Sequence, residues 1–424
     1  MRLQLTMRRC AATTAAMLAA TTARAAAEDR AEVSTALFVE SRDSAGKGGL
    51  VVVHPQASFG IDLGRYVTFD LGYAADAVSG ATATIYQVDA VSTATTFSDF
   101  RNEATLALGF RGKRSRLAMS ATFGAERDYI SRQFGGTASI DLPGRNTTVA
   151  LAYSHGSDQV CNKDNGMATP LASKALIGAD PCDKNVVSGK DTVGVTKWED
   201  LAIDTAQVTL TQNLSPTVNA QLAVFGQIQD GFQSNPYRRV RVGANSPQEH
   251  IPDTRARWSI TGRLNHYLPK LKAAAHFDAR FYDDTWGVIG GNVELGYSQY
   301  VGKHLLVRLH ARVYQQSAAT FFRDAFFYET ESTAGGGEFF TGDRELAPVR
   351  NVNLGAKLTL ITIGEAKPVW RVFDKLQLVA KGEAMLFDAL AADAGNPGGI
   401  AKQFIYGSSV FDAFVVQLGL LGNY

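Results

Sequence analysis

Cysteine is scarce. Three cysteines in 424 residues cannot build a disulfide scaffold, and no CxxC or CxxH spacing accompanies them, so a structural zinc site has no signature here. Long apolar runs are missing as well. After the first 30 residues no stretch of about 20 apolar positions occurs, which excludes helices that span a bilayer. Nor is there an excess of positive charge: 42 Lys and Arg face 41 Asp and Glu, and nothing in that balance calls for nucleic acid. The motifs of catalysis are absent too, with no GxSxG, HExxH, Walker loop or CxxCH. A Ser and His pair does occur, Ser154 beside His155, but neighbours in a strand point to opposite faces. These absences point away from an enzyme and imply no metal and no cofactor.

What is present begins with a secretory signal. "MRLQLTMRRCAATTAAMLAATTARAAAEDR" places Arg2, Arg8 and Arg9 ahead of Ala, Thr, Met and Leu, then small residues suited to cleavage after Ala25 or Ala27. The expected division is a signal peptide over 1–27 and one mature unit over 28–424. No bulky apolar pair follows the arginines, and Cys10 has no lipoprotein box before it. Loss of Arg2, Arg8, Arg9 and Arg24 leaves 38 basic residues against 41 acidic. Cys161 and Cys182 remain, and in an exported chain they are expected to close a disulfide, removing roughly 3 kcal/mol of chain entropy from the open loop.

The mature chain has a period of two. "LVVVHPQASFGIDLG" sets Val51, Val53, Ala57, Phe59, Ile61 and Leu63 on one face and His54, Gln56, Ser58 and Asp62 on the other. The same alternation runs through "YVTFDLGYAAD", "NEATLALGFR", "TVNAQLAVFGQIQ", "LLVRLHARVYQQ" and the closing "FVVQLGLLGNY". Such a pattern is that of a strand with one apolar face. About sixteen of these segments are expected, each near the length that crosses an outer membrane at a tilt.

The links between them alternate in length. Short ones, Gly64-Arg65, "GKRS", "PGRN", Ser215-Pro216, Pro269-Lys270 and Gly302-Lys303, interleave with long polar ones over 76–98, 156–199, 230–253, 318–347 and 389–408. That segregation is what an up-and-down outer-membrane β-barrel requires: tight periplasmic turns, long extracellular loops and both ends inside. The chain also ends on an apolar strand with a terminal aromatic, Tyr424. In hydrocarbon every peptide group must be paired, so the last strand has to meet the first. A terminal aromatic resembles the signature that the barrel-assembly machinery reads. Tyr73, Tyr153, Trp258 and Tyr297 share the lipid parity near strand ends, as an interfacial girdle does. Outer-membrane lipid and the assembly machinery are therefore the implied partners.

The stretches "QVDAVSTAT", "GAERDYIS", "GFQSNPYRRVRV", "YDDTWG" and "GDRELAP" resemble an uncharacterised family of outer-membrane β-barrels in Gram-negative bacteria, a domain-of-unknown-function family. The resemblance implies a fold and a location. It carries no activity onto any residue.

Parity assigns the inward face. Strands between 255 and 315 are expected to send Arg255, Arg257, Arg263, Lys272, His276, Asp278, Arg280, Asp284, Glu294, Arg308, His310 and Arg312 inward. Earlier ones add Asp70, Arg101, Glu103, Arg111 and Glu126, and a later one Lys381 and Glu383. Two readings stand side by side: a basic wall that favours anionic solutes, or Arg and carboxylate pairs that brace neighbouring strands. The loop holding Phe321, Phe322, Phe326, Phe327, Phe339 and Phe340 has three readings, a constriction in the mouth, an exposed docking surface, or a local cluster. The acids of "YDDT" and "DPCDKN" read as solvated loop charge rather than a cation site. The expected function is a porin-like channel for a small solute that the sequence does not name. The alternative is an outer-membrane scaffold holding a periplasmic or surface protein of a redox, export or assembly system.

Overall fold

Alternating apolar and polar side chains leave a strand with one face to hide in lipid and one to keep wet, and a sheet of such strands has no stable edge in a bilayer. The computed structural model describes residues 29–40, 51–81, 96–126, 129–162, 184–185, 190–191, 197–235, 249–322, 339–343, 345–363, 369, 373–389 and 413–423. In chain order the strands are β1 (Arg30–Glu40), β2 (Val51–Leu63), β3 (Val67–Ala81), β4 (Thr96–Arg111), β5 (Ser115–Ala125), β6 (Tyr129–Asp141) and β7 (Thr147–Asn162). A small hairpin follows, β8 (Lys184–Asn185) and β9 (Lys190–Asp191). Then come β10 (Lys197–Ser215), β11 (Val218–Gly231), β12 (Thr254–Leu268), β13 (Ala273–Asp284), β14 (Ile289–Val301), β15 (Leu305–Gln316), β16 (Val349–Ile363), β17 (Lys375–Ala389) and β18 (Ala413–Asn423).

All but β8 and β9 join one closed antiparallel barrel in which each strand pairs with its sequence neighbours. The seam is made by the first and last strands, in register from Arg30 opposite Asn423 to Glu40 opposite Ala413. No edge is left for water or another chain to pair with. The wall is therefore the all-β, sixteen-strand up-and-down β-barrel that the periodicity predicts.

One face carries the apolar side chains. Val33, Leu295, Leu309 and Leu418 are each more than half exposed, as befits the convex side of a barrel in lipid, while the alternate positions are partly buried polar residues. At the loop end of this outer face, aromatic donors reach polar acceptors on the next strand. Tyr73 Oη donates to Asn102 Oδ1 at 2.5 Å, Tyr153 Oη to Asp204 Oδ1 at 2.6 Å, and Trp258 Nε1 to Asp283 Oδ2 at 3.1 Å. These amphipathic rings mark the interface between hydrocarbon and headgroups.

The expected loops are too long at two places. β3 runs on to Ala81 and β7 to Asn162, because backbone pairing continues beyond the hydrocarbon, where the apolar alternation has already stopped. Two links at the loop end are also short, between Ala125 and Tyr129 and between Asp284 and Ile289. The opposite end turns tightly, with Gly64 at φ 74° and Gly302 at φ 69° in the left-handed region that favours glycine. Lys272, expected inward, sits instead on the β12–β13 turn at φ 50° and is solvent-exposed. The signal peptide, Cys182, Phe326, Phe327 and Tyr424 lie outside the described residues.

Candidate functional site

The polar face of the wall divides into two kinds of territory. Across β1 to β5 charges are matched. Arg30 Nη2 meets Asp70 Oδ1 at 3.1 Å, and Arg111 Nη2 lies 3.7 Å from Asp62 Oδ1. Arg101 contacts Glu103 at 2.7 Å and Glu126 at 3.8 Å, and His54 Nδ1 faces Asp76 Oδ1 at 2.7 Å. Arg30–Asp70 and Arg111–Asp62 reach over an intervening strand, His54–Asp76 joins neighbouring ones and Arg101–Glu103 lies within β4; such pairs confine the guanidinium planes.

From β12 onward the pattern loosens. Arg263 Nε donates to Asp278 Oδ1 at 2.5 Å, directly across the β12–β13 register. Arg257 Nη2 is held by Gln229 Oε1 at 2.7 Å. His276 bridges Asn265 at 2.7 Å and Ser298 at 3.0 Å. Arg280, further along β13, is exposed on the inward face. Glu294 stands opposite Arg312.

One row then breaks the matching. Arg308 on β15 is directly opposite Lys357 on β16, and Lys357 is directly opposite Lys381 on β17. Three cations occupy adjacent strands at one height, an arrangement that costs free energy through like-charge repulsion. Lys381 Nζ lies 2.7 Å from Glu383 Oε1, which His310 Nε2 also approaches at 3.0 Å, and the negative charge of Glu32 on β1 acts on Lys357. His310 reaches Glu383 across Gly355, where a Cβ would fall 2.1 Å from its Cε1.

A second assembly stands at the loop end. Trp286, Val288, Ile251, Ala319, Phe321, Phe322, Leu346 and Ala347 form a buried cluster drawn from the segments that follow β11, β13 and β15. The Arg255 guanidinium lies 4.1 Å over the Trp286 ring and donates through Nε to Asp284 Oδ2 at 2.9 Å. Tyr282 Oη donates to the same Asp284 oxygen at 2.6 Å, while Asp284 Oδ1 accepts the backbone N–H groups of Trp286 and Val288, each at 3.0 Å. Glu249 ties two segments together, accepting from Asn235 N and Thr341 Oγ1, each at 2.7 Å. His250 and Phe340 exchange backbone bonds at 3.1 and 2.7 Å. Phe321, Phe322 and Phe340 are thus buried, and Phe339 is 44% exposed beside the His250 ring at 5.1 Å.

Four stretches named above for their resemblance end up near this mouth or at its side. Asp284 and Trp286 come from "YDDTWG", Asp343 and Leu346 from "GDRELAP", Ser234 and Asn235 from "GFQSNPYRRVRV", and Glu126 and Tyr129 from "GAERDYIS". The family model described as "Protein of unknown function (DUF3570)" matches residues 4–367. The chain belongs to this family.

No curated protein matches the chain in sequence. Solved structures of similar architecture include a bacterial polysaccharide outer membrane secretin, at 7% identity over 94% of this chain and 98% of that one, TM-score 0.45. OprB of Pseudomonas putida is 9% identical over 94% of each chain, TM-score 0.42. OccD3 (OpdP) of Pseudomonas aeruginosa is 9% identical over 94% and 91%, TM-score 0.40. At such identities the likeness concerns shape and brings no substrate with it. The closed wall with its apolar exterior places this DUF3570 protein in the outer membrane of a Gram-negative bacterium, since only closed barrels and helices satisfy their backbone in lipid. The matched residues end before β17, so Lys381 and Glu383 lie past them. Lys357 was missing from the sequence-derived set. Parity in "VNLGAKLTL" would have found it, had each inward position been paired with its neighbours rather than weighed alone. Cys161 is fully buried at the loop end of β7.

Proposed function

We propose that this DUF3570 barrel is a channel for small solutes and that its wall favours anions. The observation behind the proposal is the row Arg308, Lys357 and Lys381, three cations side by side on consecutive strands. A wall that only had to be braced would alternate the signs, as β1 to β5 do. Fixed like charges are retained at a cost in stability where they lower the barrier for a passing counter-ion.

Planar-bilayer recording on the purified protein tests this. The expected result is stepwise conductance with a reversal potential displaced toward that of the anion in a salt gradient. Arg308→Gln together with Lys357→Gln moves it toward the cation. Unchanged selectivity in the double variant refutes the anion preference, and silent bilayers refute the channel. A second reading, a scaffold for a surface protein, rests on Phe339 and His250, whose rings meet at a tilt of 45° at the exposed mouth. Co-purification of a stoichiometric partner that is lost on Phe339→Ala would favour it.

A further inference from the structure

Next to the Tyr153–Asp204 girdle pair, the outer face of β7 holds two residues that neither a pore nor a girdle requires, His155 and Ser157. Exposure alternates along this strand, with Tyr153, His155 and Ser157 exposed and Ser154, Gly156 and Asp158 buried. His155 and Ser157 therefore share the exterior, two residues apart. On an extended strand that is a separation of roughly 6–7 Å between Cα atoms. Asp204 of β10 stands directly opposite His155 in the register.

Two of the three are already joined. His155 Nδ1 lies 2.9 Å from Asp204 Oδ1, and Tyr153 Oη donates to that same oxygen at 2.6 Å, fixing the carboxylate. Nδ1 is engaged by the acid, and neither Nε2 nor the Ser157 hydroxyl has a partner among the described residues. Because Gln133 pairs with Gly156, the preceding Arg132 stands beside Ser157 on β6. The apolar belt ends here: Leu151, Val208 and Phe134 lie toward or beside the site and are 53%, 48% and 66% exposed.

We infer that Ser157, His155 and Asp204 form a lipid-facing hydrolytic triad acting on the acyl ester of a membrane phospholipid. A serine hydroxyl is a weak nucleophile until a base accepts its proton, and the base works only when a third group holds its other nitrogen. Ser157 Oγ attacks the ester carbonyl carbon while its proton passes to His155 Nε2. Asp204 accepts the Nδ1–H of the resulting imidazolium. Collapse of the tetrahedral adduct breaks the ester C–O bond, and the proton on Nε2 goes to the departing alkoxide, releasing lysophospholipid. Water, deprotonated by His155, then cleaves the acyl-serine to fatty acid and free Ser157. Arg132 supplies positive charge for the phosphate. The position explains the substrate class, since a site at the edge of the apolar belt meets lipid esters at headgroup depth and meets soluble esters rarely.

The test uses the full chain in mixed micelles of detergent and phosphatidylcholine, with folding checked by heat-modifiable gel migration. A fluorophosphonate probe is expected to add to the peptide containing Ser157, as read by mass spectrometry, and fatty acid is expected to appear with time. Ser157→Ala and His155→Ala abolish both. Asp204→Asn lowers kcat by roughly 10²- to 10⁴-fold with KM for the micellar lipid unchanged, and Asp204→Glu restores part of the loss; a purely structural role would show neither the split nor the rescue. A folded protein that takes no adduct on Ser157, or hydrolysis that survives Ser157→Ala, overturns the inference.

Discussion

Gly355 shows how far a single position constrains this wall. A Cβ there would sit 2.1 Å from His310 Cε1, so the imidazole crosses β16 to reach Glu383 at 3.0 Å only because no side chain intervenes. Gly355→Ala is expected to expel the ring and destabilise the folded barrel by about 1–3 kcal/mol, measured by denaturant titration of the band shift between folded and unfolded forms. His310→Ala in the same background should recover most of that loss. Absence of recovery would place the cost elsewhere. Lys357 makes the opposite case: with Arg308 and Lys381 directly opposite on either side, Lys357→Gln should raise stability by about 0.5–1 kcal/mol in the same titration, while eroding anion preference. Both residues show what parity alone hides. It assigns a residue to a face, yet contact is decided across strands, and the pairing partner of Lys357 or of Ser157 is not visible until the register is known.

The strands were legible for a physical reason: lipid on one side and polar surroundings on the other force a choice at every second residue, and sixteen segments repeat it. The loops obey no such period. β3 and β7 continue past the point where the apolar choice ends, since backbone pairing needs no lipid. The mouth cluster was equally hidden, because its members come from segments separated by more than 90 residues, as in the Thr341 to Glu249 bond at 2.7 Å. Of the three readings for the phenylalanine loop, the local cluster describes Phe321, Phe322 and Phe340, which pack with Trp286 and Leu346 or beside His250. Phe322→Ala should therefore cost the cluster about 3–5 kcal/mol, and the expected readout is new proteolytic cleavage in the segments around Ile251 and Ala319 with the barrel itself intact. Cleavage equal to that of the unaltered protein would show that these segments hold together without Phe322. The pairing of Cys161 with Cys182 is a proposal at the same scale: linked peptides should appear in unreduced digests, and free thiols at both positions would refute it.

At the scale of the whole molecule the decisive property is that adjacent residues on one strand live in different solvents. Gln417 and Leu418 illustrate it at the middle of β18, the strand that closes the wall against both β17 and β1. Leu418 is 55% exposed on the outer face, whereas Gln417 turns inward and its Nε2 donates to Ser34 Oγ at 3.4 Å. An arginine at 418 must leave water for hydrocarbon, which costs about 2–4 kcal/mol near the bilayer midplane. The same arginine at 417 stays on the polar face and costs far less. Refolding both variants into phospholipid vesicles and titrating with guanidinium should therefore separate Leu418→Arg from Gln417→Arg by about 2 kcal/mol or more. The comparison cancels the size and charge of the new side chain and leaves only its surroundings. Equal costs at the two positions would mean that the wall does not divide lipid from a polar interior, and the channel proposal would lose its physical basis along with the assignment of every inward residue.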